Sequence, residues 1–216
     1  GKVMSSLDTF SLKITGKESH GAEPYKARDP FIPTAEILLG VQSIVSREIN
    51  TKESAVISFG KIKGGTAANI IPQSIELEGT VRCTKENIRN YINNRIEEIA
   101  YHTAKAYRAD IDYNYIYGAP VLENNKDLVK EFIEVLRENM PENEYKILDR
   151  PTMIGEDFSY FLKEIPGFYY FFGSKRFIDG AYHAHHTEKF DINEENLYKV
   201  VYINIMFILK YLSLDN

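Results

Sequence analysis

Within the first 117 residues, segments of period two alternate with segments of helical spacing in the order β-α-β-β-α-β, and few folds accept that order. Phe10, Leu12 and Ile14 alternate with Ser11, Lys13 and Thr15, as in a strand with one buried face, and Gly16 ends the run. Asp29 followed by Pro30 suits a helix start, after which Ile32, Ala35, Leu38, Leu39, Gln42 and Val45 keep helical spacing. Ser54 to Lys61 reads as a second strand, broken by Gly64-Gly65. In a third strand Ile75, Leu77 and Val81 alternate with Glu76, Glu78, Thr80 and Arg82. Thr84 is placed to cap a second helix with Ile88, Ile92, Ile96, Ile99 and Thr103 along one stripe, and Ile111, Tyr113 and Tyr115 mark a fourth strand. The expected fold is α/β (α+β), with a ferredoxin-like domain over residues 8–117 and residues 1–7 as a connecting segment.

The second half, residues 118–216, has a different rhythm. Leu128, Val129, Phe132, Ile133 and Leu136 predict an amphipathic helix with Pro141 past its end, and Asp157 to Ile165 a short one. Gly167 to Gly173, "GFYYFFG", is apolar enough for a doubly buried strand. Asn193 is placed to cap a final helix whose run Val200–Leu209 predicts burial. That run is too short to span a bilayer and is bounded by Lys199 and Lys210. Two helices and one or two strands make a thin domain, like the edge of a larger α/β layer.

Composition narrows the chemistry. A net charge of -5 with no block of like charge argues against nucleic acid or an anionic membrane as partner. The single cysteine, Cys83, excludes an internal disulfide and predicts a reducing, cytoplasmic setting. It has no histidine near it in sequence and reads as a strand-end thiol. Three of the five histidines, His183, His185 and His186, crowd one loop. Neighbouring side chains in extended backbone diverge, so at most one or two of them share a metal; a solvated polar loop is the alternative. His20 in "GKESHGAEP", Asn69 in "GKIKGGTAANIIPQ", and Gly155-Glu156 in "GEDFSYF" are further candidates, each by itself equally at home in a turn or at a helix start. Gly64-Gly65 is no phosphate loop, because no Lys-Ser/Thr follows at the required spacing.

Taken together, "DTFSLKITGKESHGAEPYKARDP", "QSIVSRE", "GKIKGGTAANIIPQSIELEGTVR", "PTMIGEDFSYF" and "HHTEKFDINEENL" resemble the aminoacylase and carboxypeptidase-G-type di-metal metallopeptidases, in the branch of N-acyl-amino-acid amidohydrolases, hippurate hydrolases and auxin-conjugate hydrolases. The resemblance implies a catalytic α/β domain binding two divalent metals (zinc, manganese or cobalt), with an inserted ferredoxin-like lid that makes a homodimer. Residues 8–117 match the lid and residues 118–216 the C-terminal portion of the catalytic domain. By the same resemblance His186 is a metal ligand, although the proline usual after it is replaced by Glu188 and His185 leaves the register open by one. His20 matches the lid histidine that stabilises the oxyanion across the dimer. Asn69 matches a substrate-contacting asparagine, and Gly155 and Glu156 a segment lining the metal pocket. The other metal ligands and the general base belong to an N-terminal half absent from this sequence, so the chain is expected to be inactive by itself. Two alternatives stand beside this one: a non-catalytic dimerisation or binding module of the same descent, and a dipeptidase or desuccinylase of that family.

Overall fold

The structure is a computed structural model that describes residues 1–213; the last three residues of the segment 118–216 lie outside the described residues. The chain forms two compact units, one of residues 2–123 with 150–165, the other of Gly1, residues 124–149 and residues from 166 onward.

The larger unit contains β1 (Lys2–Met4), β2 (Asp8–Thr15), β3 (Ser19–His20), α1 (Phe31–Ser43), β4 (Ala55–Gly64), β5 (Ile70–Ile71), β6 (Ser74–Cys83), α2 (Glu86–Ala106), β7 (Asp110–Tyr117) and β8 (Leu122–Glu123), with a short helix over Phe158–Glu164. Strands β4, β6, β2 and β7 form an antiparallel sheet in that order, the ferredoxin-like arrangement that the alternation of elements predicts. The period-two pattern sets the register: Phe10, Leu12 and Ile14 from β2 and Ile75, Leu77 and Val81 from β6 are buried under α1 and α2 with Ile37, Val41, Ile92 and Ile96. Each such side chain contributes about 1.5–3 kcal/mol of burial.

The opposite face of the sheet is mostly polar, with Val56 and Ile116 its exposed apolar members. Lys63 on β4 stands opposite Glu76 on β6, Glu76 opposite Lys13 on β2, and Lys13 opposite Asp112 on β7, so one row alternates in sign across all four strands. Lys61 pairs with Glu78 at 2.5 Å in the next row. Opposite charges on facing strands attract weakly and keep the face wet.

Local chemistry moves two helix starts by a residue or two. Asp29 accepts from the Phe31 amide at 2.8 Å, so it holds the start of α1 from two positions upstream. Thr84 is buried, and α2 begins at Glu86 after Lys85 with no side-chain cap. Below α2 lies a buried ion pair. Asp8 accepts from Arg89 Nε at 2.8 Å and Nη2 at 2.5 Å, from Tyr115 Oη at 2.8 Å and from the Gly118 amide at 2.9 Å.

The smaller unit packs α3 (Lys126–Asn139) against α4 (Leu197–Ser213) around Phe132, Val135 and Ile203. The Asn125 side chain caps α3 by accepting from the Asp127 and Leu128 amides. Phe168, Tyr170 and Phe207 ring Phe132 at centroid distances of 4.8, 5.0 and 5.5 Å. Two expectations fail here. Residues 167–173 form no strand, because among the described residues no strand lies along them; the Asn124 side chain takes that place at one point, accepting from the Tyr169 amide at 2.8 Å and donating to its carbonyl at 2.7 Å. Helix α4 is not buried. Among its described residues only Ile203 is enclosed, while Val201, Ile208, Leu209 and Leu212 are each more than half exposed. These four and Leu197, Ile205 and Tyr198 fall on one side of the helix, away from α3.

Candidate active site

Two loops leave the same end of the sheet, one after β2 and one after β4. Gly16 ends β2 and donates to Gln73 at 2.8 Å. A side chain at this position would sit 1.9 Å from the Arg28 carbonyl, so the close approach admits only glycine. Lys17 and Arg28 then exchange backbone hydrogen bonds at 2.9 and 3.1 Å and close the base of the first loop. In the second loop Gly65 takes a φ of +77° and turns the chain back toward β5.

The loops meet in a short antiparallel ladder. Ser19 faces Ile71, His20 faces Ile70, and the Gly21 amide donates to the Asn69 carbonyl at 2.7 Å. His20 and Asn69, far apart in sequence, therefore sit at one edge, both exposed. His20 lies at the corner of a turn closed by the Glu23 amide on its carbonyl at 2.8 Å, and its Nδ1 accepts from the Ala22 amide at 3.1 Å. The Ala22 amide is a participant that residue types cannot reveal, because a backbone group carries no sequence signal.

Gly155 and Glu156 lie elsewhere in the same unit. A side chain at Gly155 would press on Leu7 Cβ at 2.9 Å, and Ser5 donates to the Ile154 carbonyl at 3.1 Å. Glu156 caps the following short helix: its carbonyl accepts from Ser159 Oγ at 2.6 Å and its Oε1 from the Phe158 amide at 3.3 Å. Leu7 precedes β2, whereas His20 follows the other end of β2. Eight strand residues separate the two places, roughly 24 Å along the sheet.

The histidine loop follows a hairpin whose turn residues Asp179 and Gly180 both have positive φ, as a tight two-residue turn requires. His185 stacks on Phe190 with centroids 4.5 Å apart. His186 is exposed in a left-handed backbone, φ 65°, beside a turn in which Thr187 Oγ1 donates to the Ala184 carbonyl at 2.8 Å. Among the described residues the half-buried His183 has no hydrogen-bond partner for its buried Nε2. Among the described residues no three His, Cys, Asp or Glu side chains gather as a metal would need. The donors present fit one or two places in a shared ligand set, not a closed site. Cys83 is buried between Ser6 Oγ and the Lys85 carbonyl, each 3.3 Å away, and burial raises its pKa, the setting of a structural thiol.

With this geometry in place, the profile of peptidase family M20/M25/M40 matches residues 9–210. The chain belongs to this family. It is 32% identical over 203 residues to the N-acetyl-L-cysteine deacetylase of Bacillus subtilis (strain 168), covering 94% of this chain and 47% of the relative. It is 33% identical over 190 residues to the N-acetyldiaminopimelate deacetylase of Bacillus cytotoxicus, covering 87% of this chain and 48% of the relative. Among solved structures, a methicillin-resistant Staphylococcus aureus protein provisionally classed as an aminohydrolase superposes with a TM-score of 0.85 at 26% identity, over 98% of this chain and 54% of that one. The Bacillus subtilis YXEP protein, described as a dinuclear metal-binding peptidase, superposes with a TM-score of 0.74 at 24% identity, over 97% of this chain and 51% of that one. The M20 chain described here thus spans about half the length of the curated relatives it matches. No helix among its described residues is long and apolar enough to cross a membrane.

Proposed function

We propose that this M20 chain is part of a cytoplasmic, metal-dependent amidohydrolase that cleaves the amide bond of N-acyl amino acids. The observation that carries the reading is the ladder between β3 and β5, which holds an exposed imidazole and an exposed carboxamide at one edge. The deacetylases among its relatives support the substrate class by their names. His20 donates to the carbonyl oxygen as that oxygen gains charge, the stage at which a fixed donor is worth most. Asn69 holds the substrate carboxylate or the same oxygen, and Gly155 and Glu156 line the pocket. His186 contributes one ligand to a pair of divalent metals, which when bound supplies an activated water.

Residues 8–117 then act as lid and residues 118–216 as the C-terminal portion of the catalytic domain. The half-length match and the incomplete ligand set support the remaining ligands and the general base lying on polypeptide outside this chain, which alone is inactive. The separation of His20 from Gly155 along β2 supports a homodimer in which one copy's His20 serves another copy's pocket.

The test is His20→Ala in an enzyme supplied with the rest of the catalytic domain. Turnover of an N-acetyl amino acid falls on the order of 100- to 1,000-fold with KM nearly unchanged. An unchanged kcat overturns the assignment of His20. For the chain alone, zinc loading gives less than one tightly bound ion per chain. One or more tight ions lost in His186→Ala would show the loop to be a complete site and refute the shared ligand set.

A further inference from the structure

We infer that the Ala22 backbone amide is a positioning group that fixes His20 as the neutral tautomer with its proton on Nε2. This rests on the proposed role of His20 and adds what kind of group His20 can meet. A neutral imidazole has one donor and one acceptor nitrogen, and the hydrogen bond made by one decides the other. The Ala22 N–H points at Nδ1 from 3.1 Å. Only a lone pair on Nδ1 answers an N–H at that place, so the ring proton resides on Nε2.

The amide is held on both sides. The Gly21 amide is tied to Asn69 at 2.7 Å, the Glu23 amide to the His20 carbonyl at 2.8 Å, and Ser19 Oγ donates to the Glu23 carbonyl at 3.2 Å. The turn therefore presents Ala22 N–H to the ring. With its one lone pair engaged, the neutral ring offers a donor, Nε2–H, to whatever meets it. Its partner is then a hydrogen-bond acceptor, the class to which a scissile carbonyl oxygen and its oxyanion belong.

The experiment is NMR on the 15N-labelled chain at alkaline pH, where imidazole is neutral, with the His20 ring assigned by its loss in His20→Gln. The expected spectrum shows Nδ1 as an unprotonated acceptor, Nε2 protonated, and a scalar coupling between the Ala22 nitrogen and Nδ1 across the hydrogen bond. Ala22→Val keeps its N–H and keeps the coupling. Ala22→Pro lacks the N–H, so the coupling is lost and the ring nitrogens move to the averaged values of a free peptide of residues 17–25. A protonated Nδ1 in the unaltered chain, or averaged values there, overturns the inference without recourse to either variant. The readout uses no substrate, so it separates from the proposed activity: a fixed tautomer with undiminished turnover in His20→Ala removes the oxyanion role and leaves the Ala22 contact standing.

Discussion

Replacing Arg89 by Met tests whether the sheet of the larger unit is pinned by its buried ion pair. Asp8 and Arg89 are both almost fully enclosed, and Asp8 accepts from four donors, two of them on Arg89. Arg89 also donates to the Gly118 carbonyl at 2.7 Å and lies over the Tyr117 ring at 4.8 Å. Burial opposes its charge, and the bonds and charges of Asp8 and then Glu86, 3.2 Å away, outweigh that and raise its pKa. Removing one member of a buried pair typically costs about 3–5 kcal/mol, because the other charge stays behind without compensation. Here Tyr115 and the Gly118 amide remain on Asp8, so the cost falls near the low end, about 3 kcal/mol. Native-state hydrogen exchange at the Leu12 and Leu77 amides measures it, since both lie in the core sheet. Asp8→Asn combined with Arg89→Met removes both charges and loses less than the sum of the single changes, by about 1–2 kcal/mol. A loss under about 1 kcal/mol in Arg89→Met, or strict additivity, would refute the pair as the pin of the sheet.

Stability falls as pH climbs above about 9, the ordinary thiol value. Burial raises Cys83, Tyr113 and Tyr115, the last helped by its bond to Asp8, so the unfolded chain loses these protons while the native chain keeps them. The stabilisation is whole below the ordinary values and lost as pH rises toward the raised ones. Urea midpoints at about pH 8 and about pH 10.5 check this, with a flatter slope in Tyr115→Phe. Gly16→Ala drives a methyl into the Arg28 carbonyl and costs at least about 1–3 kcal/mol, read from the urea midpoint; because Arg28 closes the base of the His20 loop, the Ala22 amide also exchanges faster. Asn124→Leu removes both bonds to the Tyr169 backbone and costs about 1–3 kcal/mol, seen as faster exchange of the Tyr169 amide.

Strands β2 and β6 were legible in the sequence because their helix-facing sides obey period two: Phe10, Leu12, Ile14, Ile75, Leu77 and Val81 are all buried, whereas β4 shifts register between Phe59 and Lys61. Helix starts were less so, since Asp29 acts on α1 from two positions upstream and α2 begins after Lys85 with no side-chain cap. The burial expected for "VVYINIMFIL" and the strand expected for "GFYYFFG" failed for a shared reason. Apolar composition reports how much surface wants cover, and the described chain offers α4 a partner on one side only and residues 167–173 no strand at all. The site was legible as residue types and not as geometry. Nothing in the spacing of His20 and Asn69 announces that a two-residue ladder joins them, and Ala22 acts through its backbone.

That ladder also bears on why a second copy enters the proposal. His20 is tied to β5 at one end of β2, and Gly155 packs on Leu7 at the other, with a regular strand of eight residues between them. A strand paired on both sides cannot fold back to close a gap of roughly 24 Å without giving up its ladders and the core beneath them. Within one chain the donor and the pocket segment are therefore held apart by a strand paired on both sides over a buried core. If both act on one amide bond, they come from different copies. Mixing His20→Ala chains with Glu156→Ala chains, each in an enzyme supplied with the rest of the catalytic domain, then restores part of the activity that either variant lacks alone. In a mixed dimer of that kind one of the two sites has both residues, so recovery approaches a quarter of the unaltered rate at equal mixing, half the dimers being mixed with one competent site in each. No recovery at equal mixing, with mixed dimers demonstrated by mass, would place His20 and Glu156 in separate functions.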